Sequence, residues 1–280
     1  MRIAYLGTPA IAVPTLRALV DAGHDVALVV TAADKRRGRG GALMPSPVKA
    51  AALELGLQVT DRIDDLLELD PPVELGIVVA YGRLIKPPVL NAVPLINVHF
   101  SLLPRWRGAA PLERAILAGD ERTGVCLMDI EEGLDTGAVY KCTEVAIDAN
   151  ATADELRAVL VDEGTKLVLD VLEHGLGPPM PQTGEPVYAR KIDPVEFQLD
   201  WTRPADELHR VVRVGGAWTT HRGKRLKVWR TALPAGDGVT VPTGSDPIEL
   251  VEVQPEGRGH MPAAAWANGV HWRNGDRLGT

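Results

Sequence analysis

The chain has 280 residues, 45% of them hydrophobic, which is enough apolar content for one or two domains with a sizeable core in each. Its net charge of −7 argues against a uniformly basic nucleic-acid binder, and its 2 cysteines are too few for a disulfide framework. No run of about 18 apolar residues occurs, and the start, Met1 to Leu6, breaks at Gly7-Thr8-Pro9, too early for a secretory core, so a cytoplasmic protein is expected.

In chain order, Arg2 to Leu6 reads as a strand, and Val13, Leu16, Leu19 and Val20 then recur at helical spacing up to Gly23. Val26 to Thr31 reads as the next strand, and this alternation predicts a parallel sheet with crossover helices. Asp34 to Gly41 is a basic loop loosened by glycine. Ser46 to Leu55 predicts a helix, with Ser46 as cap and Pro47 in the first turn. A strand is expected around Leu57 to Val59, then a helix from Ile63 to Leu69 inside a strongly acidic segment. Leu75 to Ala80 is continuously apolar, as a central strand covered on both faces should be. Ala151 to Leu172 predicts one long helix capped by Thr152, its acidic start complementing the helix dipole.

From Gly175 to Pro186, glycine and proline break all periodicity, which suggests a linker over about 175–190 between a first domain, 1–186, and a second, 191–280. The second domain opens with a helix near Pro204 to Val214. Short alternating runs follow at Trp218 to Thr220, Arg225 to Thr231, Val239 to Val241, Ile248 to Val253 and Val270 to Trp272, the pattern of a small β-barrel.

The chemistry concentrates around a second apolar stretch, Pro94 to Val98. Asn97 and His99 are two residues apart, so on an extended chain they leave the same face while Val98 points into the core. Asp135 follows within Glu132-Gly-Leu-Asp135-Thr-Gly137. An amide, an imidazole and a carboxylate near the carboxyl end of a parallel strand are placed where open α/β sheets bind ligands. No Gly-x-Gly-x-x-Gly follows a strand and no Gly-Lys-Ser/Thr closes a glycine loop, so neither a dinucleotide nor a nucleoside triphosphate is expected. Cys126 and Cys142 lack metal-ligand spacing and read as small core residues, and no metal is expected. Base is clustered in the 34–41 loop and again over 203–230, against a net-acidic background. Trp106 can stack on a ligand or fill space under a loop, and the remaining five tryptophans except Trp106 read as packing for the second domain.

These residues carry a resemblance. Ser101-Leu-Leu-Pro104-Arg-Trp-Arg-Gly-Ala-Ala-Pro111, Gly133-Leu-Asp135-Thr-Gly137, Leu43-Met-Pro-Ser-Pro-Val-Lys49 and Ala80-Tyr-Gly-Arg83 make the chain similar to the methionyl-tRNA formyltransferases. The likeness runs from Gly7 to Gly257, essentially end to end. It implies an α/β, Rossmann-like formyltransferase domain followed by an OB-like β-barrel domain that binds tRNA, with Asn97, His99 and Asp135 catalytic. It also implies 10-formyltetrahydrofolate as co-substrate, lying against the turn Ser101, Leu102, Leu103 and Pro104. The acceptor it implies is the amine of methionyl initiator tRNA. Together with the basic clusters, it makes Lys35, Arg36, Arg37, Arg39, Lys224, Arg225 and Lys227 the candidate tRNA contacts, and a monomer is expected. The alternatives are a sugar-nucleotide N-formyltransferase, which shares the Asn-x-His plus Asp pattern, and a catalytically silent RNA-binding relative. Two departures stand out: Asp34-Lys-Arg-Arg37 replaces the family's usual Pro-Asp-Arg-Pro-Ala, and 233–247 is short, which bears on the grip on tRNA.

The implied reaction needs no covalent enzyme nucleophile, because an α-amino group with a pKa of about 7.7–8.0 is substantially neutral near pH 7. Its attack on the formyl carbon creates an oxyanion and an ammonium. Asn97 and His99 are expected to donate to the oxyanion, and Asp135 to orient His99 and raise its pKa. Either His99 or Asp135 can take the amine proton.

Overall fold

The structure, a computed structural model, describes residues 1–37, 41–273 and 276–280. It divides into two compact units. The first comprises Met1–Pro111, Thr123–Ala146 and Arg157–Ala189, and the second comprises Leu112–Arg122, Ile147–Leu156 and Arg190–Thr280.

In chain order, the strands and helices up to the middle of the chain are β1 (Arg2–Gly7), α1 (Val13–Asp21), β2 (Asp25–Val30), β3 (Lys35–Arg37), β4 (Ala42–Met44), α2 (Pro47–Glu54), β5 (Val59–Thr60), β6 (Leu75–Val79), α3 (Pro87–Ala92) and β7 (Leu95–His99). Next come β8 (Arg107–Gly108), α4 (Pro111–Ala118), β9 (Arg122–Asp129), β10 (Val139–Ala146), α5 (Ala153–His174) and β11 (Tyr188–Ala189). The first unit is built on a seven-stranded sheet in the order β10-β9-β7-β6-β1-β2-β5. The strands from β7 to β5 are parallel, as the alternation of strands and helices predicts, while β9 runs antiparallel to β7. Every residue of β6 is buried, which is why its sequence is apolar throughout. On one face, Leu6, Leu28, Val30, Val78 and Leu95 pack with Leu66 and Val89 from the covering helical segments.

Local signals explain the helix starts. Ser46 Oγ accepts from the Lys49 amide, and Pro47 occupies the first turn of α2. At α5, the Thr152 hydroxyl accepts from the Glu155 amide while the Glu155 carboxylate accepts from the Thr152 amide, a reciprocal capping box. The acidic Ile63–Glu68 segment forms a 3-10 helix rather than an α-helix.

The second unit continues with α6 (Ala205–Val214), β12 (Trp218–His221), β13 (Lys224–Ala232), β14 (Val239–Val241), β15 (Ile248–Pro255), β16 (Met261–Pro262) and α7 (Ala263–Val270). Its strands pair antiparallel in the order β12-β13-β15-β14, with β16 on β15. Alternation along β13 turns Leu226 and Val228 inward, where they meet Leu208, Val212, Ile248, Val253 and Trp266. The strand expected at Val270 to Trp272 does not form: Val270 ends α7, and His271 takes a left-handed conformation at φ 55° as its C-terminal cap. The alanines of 263–265 and 267 favour the helix, and three alternating residues are too short a pattern to oppose it.

Candidate active site

Asn97 and His99 lie on β7, and the register pairs Asn97 with Met128 and His99 with Cys126 on β9. Val98 is buried, as alternation requires, and Asn97 is half-buried. His99 is also buried, at 5% exposure. Among the described residues the Asn97 amide makes no side-chain hydrogen bond.

The ring of His99 is held from both sides. Its Nε2 stands 3.0 Å from the Trp106 carbonyl. A carbonyl only accepts, so Nε2 carries the proton and Nδ1 is the basic nitrogen of the neutral ring. Nδ1 faces Asp135 Oδ2 at 3.6 Å, a charge contact rather than a hydrogen bond. That same Oδ2 accepts from the Gly108 amide at 2.7 Å. The structure thus brings His99 and Asp135 together, with Asn97 on the same strand face as His99.

The expected upward pull of Asp135 on His99 is present but does not decide the outcome. Burial lowers the pKa of His99 and outweighs the raising effects of the Asp135 charge and the Trp106 carbonyl, so the net shift is downward. The sequence shows the charge partner and not the desolvation. The shift favours the neutral ring.

The turn after β7 closes over this pair. Ser101 is fully buried, and its hydroxyl donates to the Arg105 carbonyl at 2.6 Å. The Arg105 amide donates to Leu102 at 3.1 Å, and Leu103-Pro104 is a cis peptide. Leu102, Leu103 and Pro104 remain half-buried, leaving apolar surface available beside the histidine. Trp106, at φ 65°, presents its carbonyl to His99 and carries the Arg105 guanidinium 4.5 Å over its ring.

The segment without periodicity, 175–186, crosses the site. Met180 pairs with Val139, Gln182 joins Arg107 to the loop of Asp135, and Tyr188–Ala189 pairs in parallel with Arg107–Gly108. Gln182 escaped sequence reasoning because its partners are carbonyl groups and a guanidinium distant in the chain.

The cysteines also differ from expectation. Cys126 is buried on β9, but Cys142 is exposed on the neighbouring β10, and the two are joined in a disulfide with their Cα atoms 4.2 Å apart. Two cysteines cannot make a framework, yet a single bond between adjacent strands needs no more. No group of three or more His, Cys, Asp or Glu residues able to hold a metal occurs among the described residues.

The basic residues fall in two places. Lys35 to Arg37 form β3, paired with Ala42–Met44 in a hairpin and not a loose loop, and Arg36 donates to the Gly41 carbonyl at 3.0 Å. Arg39 lies outside the described residues. Lys224, Arg225 and Lys227 are all exposed on β13. The Arg225 guanidinium sits 4.2 Å over the Trp218 ring, Lys227 Nζ lies 5.7 Å from the Trp229 ring centre, and His260 stacks on Trp229 at 4.1 Å. Trp218 and Trp229 thus do more than pack the second core, unlike the buried Trp266. Elsewhere in the 203–230 cluster, Arg203 pairs with Glu207 and Arg210 with Asp206, while the Arg213 guanidinium donates to the Asp148 and Ala151 carbonyls.

Comparison with known proteins defines the class first. The formyl transferase family matches residues 1–172, and the formyl transferase C-terminal domain matches residues 191–271. A methionyl-tRNA formyltransferase of Symbiobacterium thermophilum is 41% identical, covering 99% of this chain and 95% of its own. One from Clavibacter sepedonicus is 42% identical, covering 96% and 97%. The chain belongs to the methionyl-tRNA formyltransferase family. Among solved structures, the methionyl-tRNA formyltransferase from Clostridium thermocellum shares the fold with a TM-score of 0.61 at 15% identity, covering 92% of this chain and all of that one (100%). The N-formyltransferase from Helicobacter canadensis, solved with folinic acid and dTDP-3-aminofucose, shares it with a TM-score of 0.68 at 18% identity, covering 89% and 98%. At these identities the likeness is one of fold. No described helix is long and apolar enough to cross a membrane.

Proposed function

We propose that this chain transfers the formyl group of 10-formyltetrahydrofolate to the amino group of methionyl initiator tRNA, in the cytoplasm and as a monomer. The observation that carries the reading is the meeting of His99 and Asp135 beside the 101–104 turn, with Asn97 on the same strand face, in a chain similar to methionyl-tRNA formyltransferases from end to end. The folate lies against the 101–104 turn through the half-buried Leu102, Leu103 and Pro104, with its formyl carbon near Asn97, while the fully buried Ser101 holds the turn from beneath through the Arg105 carbonyl.

The neutral methionyl amine attacks the formyl carbon, forming the new C–N bond and an oxyanion that accepts from the Asn97 amide. With Nε2–H directed to the Trp106 carbonyl, the basic nitrogen of His99 is Nδ1, and it takes the ammonium proton. The Asp135 carboxylate, 3.6 Å from that nitrogen, stabilises the imidazolium. Collapse of the intermediate breaks the bond from the formyl carbon to the folate nitrogen, which leaves with a proton returned from His99.

The tRNA is held by the second domain, 191–280, through Lys224, Arg225 and Lys227, and by Lys35, Arg36, Arg37 and Arg39 of the first, 1–186. Exposed cations set against Trp218 and Trp229 support a polyanion with exposed bases as partner, where an amino-sugar acceptor would need neither. Parallel assays with charged initiator tRNA, elongator methionyl-tRNA and amino-sugar nucleotides test the reading. Transfer to initiator tRNA in clear preference is expected, and preference for the amino sugar overturns it.

A further inference from the structure

Asp135 is an awkward residue to hold still. It sits in a loop at φ 52°, a left-handed conformation that is uncommon outside glycine, although aspartate adopts it more readily than most residues. Its carboxylate must nonetheless keep one oxygen on both the Gly108 amide and the His99 ring. A residue that bonds to this loop comes from the segment 175–186, which composition alone marks as a linker.

Gln182 uses all four of its hydrogen-bonding positions there. Its Oε1 accepts from Arg107 Nε at 3.0 Å and Nη2 at 2.7 Å, both arms of one guanidinium fork. Its Nε2 donates to the Asp135 carbonyl at 2.9 Å and to the Gly137 carbonyl at 2.8 Å. Arg107 immediately precedes the glycine whose amide binds the Asp135 carboxylate. One carboxamide therefore ties the backbone at Asp135 and two residues beyond it to the strand that carries the carboxylate's hydrogen-bond donor. All of these residues belong to the first compact unit. The Met180 bridge to Val139 on one side and the β11 pairing with β8 on the other fix the segment that bears Gln182.

We infer that Gln182 is a positioning residue for formyl transfer: it acts through Asp135, fixing the carboxylate against His99, and touches neither substrate. This rests on the reading of His99 and Asp135 as the catalytic pair. The chemistry is specific to an amide of this length. Glutamate keeps the acceptor for Arg107 but turns two donors into a carboxylate facing two carbonyl oxygens. Leucine fills the volume and makes no hydrogen bond.

The test is a double-mutant cycle on the full-length protein, with Gln182→Leu, Gln182→Glu and Asp135→Asn, and each glutamine variant combined with Asp135→Asn. The rates are read as kcat and KM for charged initiator tRNA over a pH series, with a melting curve for each protein. Each single glutamine variant is expected to lose about ten- to a hundredfold in kcat, the scale of a small misplacement of a catalytic group, with KM nearly unchanged. The acid limb of its kcat profile should move in the same direction as that of Asp135→Asn. In the double variants the glutamine change should cost almost nothing further, because its route of action is already gone. Gln182→Glu guards against a folding artefact, since it keeps the Arg107 pair. A folded Gln182→Glu protein with wild-type kcat and pH profile overturns the proposal, as do losses that multiply in the double variants. If Asp135→Asn is slow while the losses multiply, only the role of Gln182 fails. If Asp135→Asn itself runs at the wild-type rate, the catalytic pair fails and this role falls with it.

Discussion

Replacing Asp135 by asparagine removes one charge and keeps the shape, so its effect can be worked from the distance. At 3.6 Å from His99 Nδ1, a full charge on Asp135 stabilises the imidazolium by about 1 kcal/mol if the gap behaved as water, and by about 4–5 kcal/mol at the effective dielectric of a partly buried pair. His99 is only 5% exposed, which puts the pair toward the upper figure. The loss in kcat should therefore fall between about tenfold and about 10³-fold, toward the larger value, while folate binding stays within a few-fold. The pH dependence gives a second, independent sign. Burial already sets His99 below its ordinary pKa, and Asp135 opposes that shift. Removing Asp135 should move the pKa further down, so the acid limb of kcat falls at lower pH even as its plateau drops. Comparing variant and wild type on the same saturating charged tRNA cancels the titration of the substrate amine. A plateau within about twofold of wild type, or an acid limb that moves to higher pH, would refute the assignment of His99 as the base stabilised by Asp135.

The other expectations are more direct. His99→Ala should remove most transfer and leave folate binding within a few-fold, and retention of more than roughly a tenth of wild-type kcat contradicts its role. Gly137→Ala would set a Cβ against the Asp129 carbonyl, so the loop bearing Asp135 should lose its position and the protein its rate; an unchanged kcat in the alanine variant would show the loop to be tolerant. Neutralising Lys224, Arg225 and Lys227 together should raise KM for charged tRNA and flatten the salt dependence of binding by about 0.7–0.9 log-log units per lost phosphate contact; an unchanged slope would move the tRNA site elsewhere. Activity should survive a chelator and the double change Cys126→Ala, Cys142→Ala, because the proposed mechanism uses neither a metal nor a thiol; chelator inhibition reversed by zinc would contradict it.

How far the site could be read from sequence depended on whether the decisive partner was a side chain nearby in the chain. Asn97 and His99 were legible because a two-residue spacing on a strand is enough to place them on one face. The β6 strand was legible because burial on both faces leaves no polar position to confuse the pattern. The direction of the His99 pKa was not legible, since a sequence displays the opposing charge and conceals the desolvation that outweighs it. The cysteine pair was hidden for a related reason: its 16-residue separation has no meaning until β9 and β10 are known to be neighbours. Gln182 was the least visible, because two of its partners are backbone carbonyls 45 and 47 residues away, which no side-chain pattern records.

Gly108 shows why these hidden contacts govern the visible ones. In the sequence it is one glycine of the run Ser101 to Pro111. In the fold it has φ 117°, which a residue with a side chain rarely adopts, and a Cβ there would stand 2.9 Å from the Ala189 carbonyl. That carbonyl accepts from the Ala109 amide at 3.0 Å, so any side chain at 108 would push β11 away from β8. The Gly108 amide would move with it and leave the Asp135 carboxylate, which also faces His99. The segment that composition marks as a linker and the carboxylate that chemistry marks as catalytic therefore meet at one residue with no side chain of its own.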